Sequence, residues 1–159
     1  MLNIRFIVTG TLKEAYLRDA CAEYMKRLSG FCRPEIVELK EVRVPDAPSD
    51  KEIASALKEE GDRILALLSP RAYNVALCVE GKQFSSEELA EKLEAAAQNA
   101  GEFCFIIGSS HGLDERVKRA CDLRLSISKL TFPHQLMRVV LLESVYRCLN
   151  IQKGTRYHK

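Results

Sequence analysis

Glu102-Phe-Cys-Phe-Ile-Ile-Gly-Ser-Ser-His-Gly-Leu113, then Asp114–Ala120, then Leu123-Arg-Leu-Ser-Ile127 decide the fold. An apolar run ends at a glycine-bounded loop, a short stretch with helical spacing follows, and a second apolar run begins. Short continuous apolar runs bounded by turn residues read as strands buried on both faces, the kind found in parallel sheets. The same alternation extends toward the N-terminus. Ser85-Ser-Glu-Glu88 and Ser49-Asp-Lys-Glu52 are capping boxes that open helices to about Asn99 and Leu68, and Tyr73–Val79 is a strand between them. Pro45 and Pro48 mark a linker. Before it come a half-exposed strand at Glu35–Val42, a helix at Leu12–Leu28 and a strand at Asn3–Thr9. Tyr16, Ala20, Tyr24 and Leu28 form the helix's stripe, and Gly30 ends it. Toward the C-terminus, Thr131-Phe-Pro133 opens a last helix, with Pro133 at or near its first position, that runs to about Asn150. Strands separated by helices give an α/β class with a mostly parallel sheet and helices on both faces. With no repeat or low-complexity tract, residues 1–159 are read as a single domain.

The 159 residues are 47% hydrophobic and carry a formal charge of +2, the balance of a globular protein able to bury a core. No apolar run approaches a membrane span, and the start has no basic leader with a cleavage site, so a cytoplasmic protein is expected. None of the six cysteines forms a C-x-x-C pair, and they are expected to be reduced and structural. The three histidines are too scattered for a metal site. The charge is unevenly spread. Residues 123–159 hold seven Lys/Arg and one acid, Glu143, for +6, while residues 1–122 hold seventeen and twenty-one, for −4. A basic end suits an anionic partner.

Ligands of open parallel sheets bind beyond the carboxyl ends of the strands. Here those ends are Glu80-Gly81-Lys82, Gly108-Ser-Ser-His-Gly112 and Ser128-Lys-Leu-Thr-Phe-Pro133, where glycines allow close approach to backbone. Neither a dinucleotide fingerprint nor a P-loop is present. On the last helix His134 and Arg138 share a stripe that continues as Leu141 and Val145. Leu136, Val139, Val140, Leu142 and Leu149 make that helix apolar almost all round, which in a small chain favours burial and dimerisation. His134 reads as a cap or as a site residue beside the loop. Glu143 and Arg147 read as a surface pair. In the tail, Arg147, Lys153, Arg156 and Lys159 are candidate phosphate contacts, and Tyr157 and His158 could stack on or bond to RNA.

Phe105-Ile-Ile-Gly-Ser-Ser-His-Gly-Leu113, Leu125-Ser-Ile-Ser-Lys-Leu-Thr-Phe-Pro-His-Gln-Leu-Met-Arg-Val-Val-Leu141, Glu143-x-x-Tyr-Arg147 and Gly154-x-x-Tyr-His-Lys159 resemble the ribosomal RNA large subunit methyltransferase H family, a small member of the SPOUT class. The resemblance covers essentially the whole chain. It implies a C-terminal trefoil knot, which no hydropathy pattern predicts, and a homodimer. The implied reaction is methyl transfer from S-adenosylmethionine to N3 of a pseudouridine in 23S rRNA, within the assembled 70S ribosome and with no metal or membrane involved. Carried over, Leu77, Gly108, Ile127, Ser128, Lys129, Leu130, Thr131 and Phe132 should contact the cofactor, with Gly81 and Gly112 as neighbours. His158 or Tyr157 would assist loss of the N3 proton, with Arg138 and Arg156 holding RNA or developing charge. Where the family usually has Gly-Gly, this chain has Gly108-Ser109, and a serine there is strained if its φ must be positive. A non-catalytic ribosome-binding protein and a tRNA methyltransferase are the competing readings.

Overall fold

Strand and helix alternate through the whole chain. The computed structural model describes residues 1–159. It contains β1 (Asn3–Thr9), α1 (Ala15–Leu28), β2 (Arg33–Leu39), α2 (Asp50–Leu67), β3 (Ala72–Lys82), α3 (Ser86–Ala97), β4 (Glu102–Ile107), α4 (Glu115–Ala120), β5 (Leu123–Leu125) and α5 (His134–Gln152). The strands form one sheet in the order β2-β1-β4-β3-β5, and every pair is parallel. Both capping boxes form. Ser49 and Ser85 each accept from the backbone N–H three residues on, and Glu52 and Glu88 reach back to the cap, an arrangement that satisfies amides the helix leaves free.

Because side chains alternate across a strand, the sheet has two apolar faces. Phe6 of β1 lies beside Phe105 of β4, their rings stacked at 5.6 Å. Around them Ile4, Val75, Phe103 and Leu125 pack with Leu28 of α1, Leu93 of α3 and Leu141, Leu142 and Val145 of α5. On the opposite face Ile7, Ala76, Cys104 and Ile106 pack with Ile64 of α2 and Val117 of α4. The connections β1 to β2 and β3 to β4 step one way across the sheet with α1 and α3 on one face. Those from β2 to β3 and β4 to β5 step the other way with α2 and α4 on the other face. A single hand of crossover requires this segregation. The strand order therefore reverses between β1 and β4, and their carboxyl ends open the switch-point crevice.

Several boundaries differ from the sequence reading, each for a local reason. In α1 Leu28 is buried as expected, but the first turns are shifted by one: Leu17 and Cys21 are buried, while Tyr16 is 69% exposed. β3 runs on to Lys82 and β5 stops at Leu125 because Leu77 and Lys82 both register with Leu125, with a bulge between them. Pro133 is the residue before α5, extended at ψ 140. Along α5, Leu141, Leu142, Val145, Cys148 and Leu149 are buried, whereas Val139 and Val140 are half-buried and Leu136 is exposed. The helix thus has one core stripe and a second, less covered apolar side.

Candidate active site

The carboxyl ends of β3, β4 and β5 meet the start of α5 around a cavity of about 840 Å³. Its walls are Leu77–Glu80 of β3, Ile107–Leu113 after β4, Lys118 of α4, Leu125–Ser128 with Leu130–Pro133 after β5, and His134 with Met137 of α5. Two glycines make these walls possible. A β-carbon on Gly108 would lie 2.1 Å from the Gly112 carbonyl oxygen, and one on Gly81 would lie 2.6 Å from the backbone of Leu125 and 2.7 Å from that of Ser126. Backbone here runs against backbone, and any side chain would force it apart. Gly112, at φ +95, donates to the Ser109 carbonyl at 2.9 Å and closes the loop.

Of the expected cofactor contacts, Leu77, Gly108, Ile127, Ser128, Leu130, Thr131 and Phe132 line this one cavity. Lys129 is exposed and lies outside the lining. Leu130 stands at the rim, 72% exposed. The segment is held by its own hydroxyls. Ser126 donates to the Ser128 carbonyl at 3.1 Å, and the Ser128 hydroxyl accepts from the Leu130 N–H at 3.0 Å. Of the 22 lining residues 10 are hydrophobic, a mixture that suits a ligand with a flat aromatic part and a polar part.

Ser109 is accommodated without strain, since no residue other than glycine has positive φ. Its buried hydroxyl donates to Glu60 at 2.9 Å, and the other Glu60 oxygen accepts from the Val42 N–H at 2.9 Å. Glu60 is only 4% exposed, so both donors matter to it. Glu80 and Lys118, both lining the cavity, form an ion pair whose hydrogen bond holds the Glu80 carboxyl below its ordinary range. Cys78 also faces the cavity, and burial pushes its thiol up. Glu80 belongs to a strand end that the sequence marked, but sequence reasoning missed Glu60: nothing in Glu59-Glu60 says which carboxylate turns inward.

The tail lies elsewhere. The Tyr157 hydroxyl donates to Glu143 at 2.6 Å, and Arg147 donates to the other Glu143 oxygen at 2.7 Å. The Tyr157 ring packs edge-on against Tyr146 at 4.8 Å and under the Arg147 guanidinium at 4.8 Å. Burial, and then Glu143, push the Tyr157 hydroxyl well above the ordinary tyrosine range. His158 places one ring nitrogen 3.1 Å from Arg147 and the other 2.6 Å from Glu87 of α3, whose carboxyl this bond draws down. Glu143 and Arg147 are therefore the hub that docks the tail, more than the surface pair expected. Lys153, Arg156 and Lys159 stay exposed. The hub sits in the second half of α5 and the cavity at its start, so Glu143 and Arg147 lie about 14 and 20 Å along the helix from His134 at 1.5 Å per residue.

Arg138, expected to hold RNA or developing charge, lies outside the cavity lining. It is 4% exposed, and its guanidinium donates to Glu38 at 2.8 Å and to the Gly10 carbonyl at 2.9 Å. These bonds brace α5 against the carboxyl ends of β1 and β2. No helix is long and apolar enough to cross a membrane, and no group of three or more His, Cys, Asp or Glu side chains could hold a metal ion.

Residues 2–158 match the model of a family described as predicted SPOUT methyltransferase. The chain is 46% identical over 159 residues to the ribosomal RNA large subunit methyltransferase H of Leuconostoc mesenteroides, covering 99% of this chain and all of that protein. It is equally similar to the protein of that name from Streptococcus equi subsp. zooepidemicus, and 44% identical, at the same coverage, to that from Streptococcus sanguinis. A solved structure of a probable methylase family protein from Haemophilus influenzae shares the fold, with a TM-score of 0.57 at 17% identity, over 99% of this chain and 71% of that one.

Proposed function

Because the chain belongs to the SPOUT methyltransferase family, we propose that it methylates N3 of a pseudouridine in 23S rRNA of the assembled 70S ribosome, with S-adenosylmethionine as donor. The reading is carried by one coincidence. The segment that the family resemblance assigns to the cofactor, Ile127–Phe132, is a wall of the 840 Å³ cavity at the strand ends, in a chain 46% identical along its length to large-subunit rRNA methyltransferases. When bound, the cofactor supplies an electrophilic methyl group on a sulfonium sulfur. The residues present fit such a group. The backbone of Ile127–Phe132 offers amides and carbonyls to an adenine edge, Leu77 and Ile107 offer apolar walls, and Gly108 presents bare backbone. What remains for the protein is alignment of nitrogen, methyl carbon and sulfur.

Residues 1–159 act in this reading as one catalytic domain whose segment after β5 is threaded into a knot. The backbone contacts at Gly81 and Gly108 support so tight a passage. The tail's distance from its own cavity favours a homodimer in which Tyr157 and His158 of one copy stand beside the target base at the other copy's cavity. Leu136, Val139 and Val140 on the less covered side of α5 would form part of the contact, while Arg147, Lys153, Arg156 and Lys159 meet RNA. Such an enzyme works in the cytoplasm, where ribosomes are.

Mass spectrometry of large-subunit rRNA from a deletion strain tests the assignment: one methyl should be missing from a pseudouridine, and an unchanged rRNA would overturn it. Calorimetry tests the donor, and absence of binding at millimolar S-adenosylmethionine would remove it. For the tail, His158→Ala should slow methylation of intact ribosomes with cofactor binding retained, and undiminished turnover would sink its role.

A further inference from the structure

Gly10, where β1 ends at the switch point, is the centre of a cluster that the cofactor reading leaves unused. A β-carbon placed there would lie 3.5 Å from Nε2 of His134 and 3.6 Å from Oε2 of Glu41. Gly10 takes φ +104, a region that other residues rarely adopt, and its missing side chain lets the imidazole and the carboxylate face one point. The other Glu41 oxygen accepts from the Ser110 hydroxyl at 3.4 Å, and Arg138, one turn along α5, holds the Gly10 carbonyl. His134 also lines the cavity. Its ring is free of protein hydrogen bonds, whereas both nitrogens of His158 are engaged by Arg147 and Glu87.

We infer that His134 is the catalytic residue that accepts the proton from the target nitrogen, and that Glu41, whose carboxylate borders the same point without bonding the ring, is a positioning residue whose charge favours the imidazolium that forms. The inference rests on the methyl-transfer reading of the cavity. As the target nitrogen bonds to the methyl carbon, the bond from that carbon to sulfur breaks and its electron pair stays on sulfur. The nitrogen's proton passes to the free imidazole nitrogen of His134, and from there to solvent at the open mouth. A histidine with an unoccupied nitrogen in the cavity needs no tail to undock before it can act.

Single-turnover methylation of purified ribosomes by His134→Gln and His134→Ala tests this, with cofactor affinity measured separately by calorimetry. Both variants should be slowed by about 10²–10⁴-fold while binding S-adenosylmethionine as the parent does, and imidazole added to His134→Ala should restore part of the rate. Glu41→Gln should lower kcat with KM unchanged, and Glu41→Asp should recover some of it. In the cofactor-free protein, bound ribosomes should shield His134 from carbethoxylation, mapped by mass spectrometry. Parental rates in His134→Gln, or full labelling of His134 under ribosomes, would overturn the inference, and a changed KM alone in Glu41→Gln would remove Glu41. His134→Gln decides the matter if His134→Ala fails to fold. Failure of the unaltered protein to bind cofactor would instead overturn the underlying reading of the cavity.

Discussion

Ser109 shows what a single side chain settles. From sequence it is a departure from a glycine pair and an argument for lost chemistry. In the structure its φ is ordinary and its hydroxyl is one of two donors to the buried Glu60, which takes away the feature that favoured a non-catalytic protein. Ser109→Ala leaves one carboxylate oxygen without its partner and should cost about 1–3 kcal/mol in denaturant unfolding. Cys78 gives a second residue-level test. Burial raises Cys104, Cys121 and Cys148 to about 12 and Cys32 to about 11, so their thiolates are scarce. Cys78, half-buried in the cavity wall, should be the first thiol alkylated in the native protein, and S-adenosylmethionine should slow its labelling. For Tyr157 the sign follows from the raised folded pKa. The folded state keeps its proton more tightly than the unfolded chain, so the contribution is fully present below the ordinary value of 10.0 and is lost as pH rises above it. The docked tail should loosen in that alkaline range, seen as tyrosinate absorbance that Tyr157→Phe lacks.

At the scale of elements, much was legible. Both capping boxes, all five strands and all five helices follow from periodicity and turn chemistry, because those signals are local. The phase of α1 and the bounds of β3 and β5 were not legible, because they depend on which neighbour a strand meets. β3 continues to Lys82 only since Leu125 pairs with it a second time across the bulge. The cavity was half legible. Glycine-bearing strand ends marked its walls, while Glu41 and Glu60, which bond Ser110 and Ser109 of the wall, come from segments whose charges look solvated in one dimension. Gly81→Ala tests the close crossing. Its β-carbon must push the backbone of Leu125 and Ser126 away, so it should destabilise the protein by about 1–3 kcal/mol and weaken cofactor binding in calorimetry, while Gly101→Ala, which meets nothing within 4 Å, should do neither.

The whole molecule separates two features along one helix: α5 begins at the cavity and leads to the docked basic tail. In a homodimer those ends can be brought together between copies, so sedimentation should report twice 17.9 kDa. Substituting Leu136 and Val140 together by charged residues should yield monomers that bind cofactor and fail on ribosomes. If Lys153, Arg156 and Lys159 meet phosphates, affinity for ribosomes should fall with salt, and each alanine should flatten the logarithmic slope by about 0.7–0.9.

The same helix has a consequence for how the protein is made. The segment from Ile127 through α5 supplies a cavity wall, Leu141, Leu142 and Val145 for the core, and the guanidinium that holds Gly10 at the end of the first strand. A nascent chain still missing it holds all five strands but has an open apolar face and half a cavity. A ribosome translating this protein should therefore carry an inert precursor until α5 has emerged, and a premature stop within α5 should leave a product for proteases rather than a weakened enzyme.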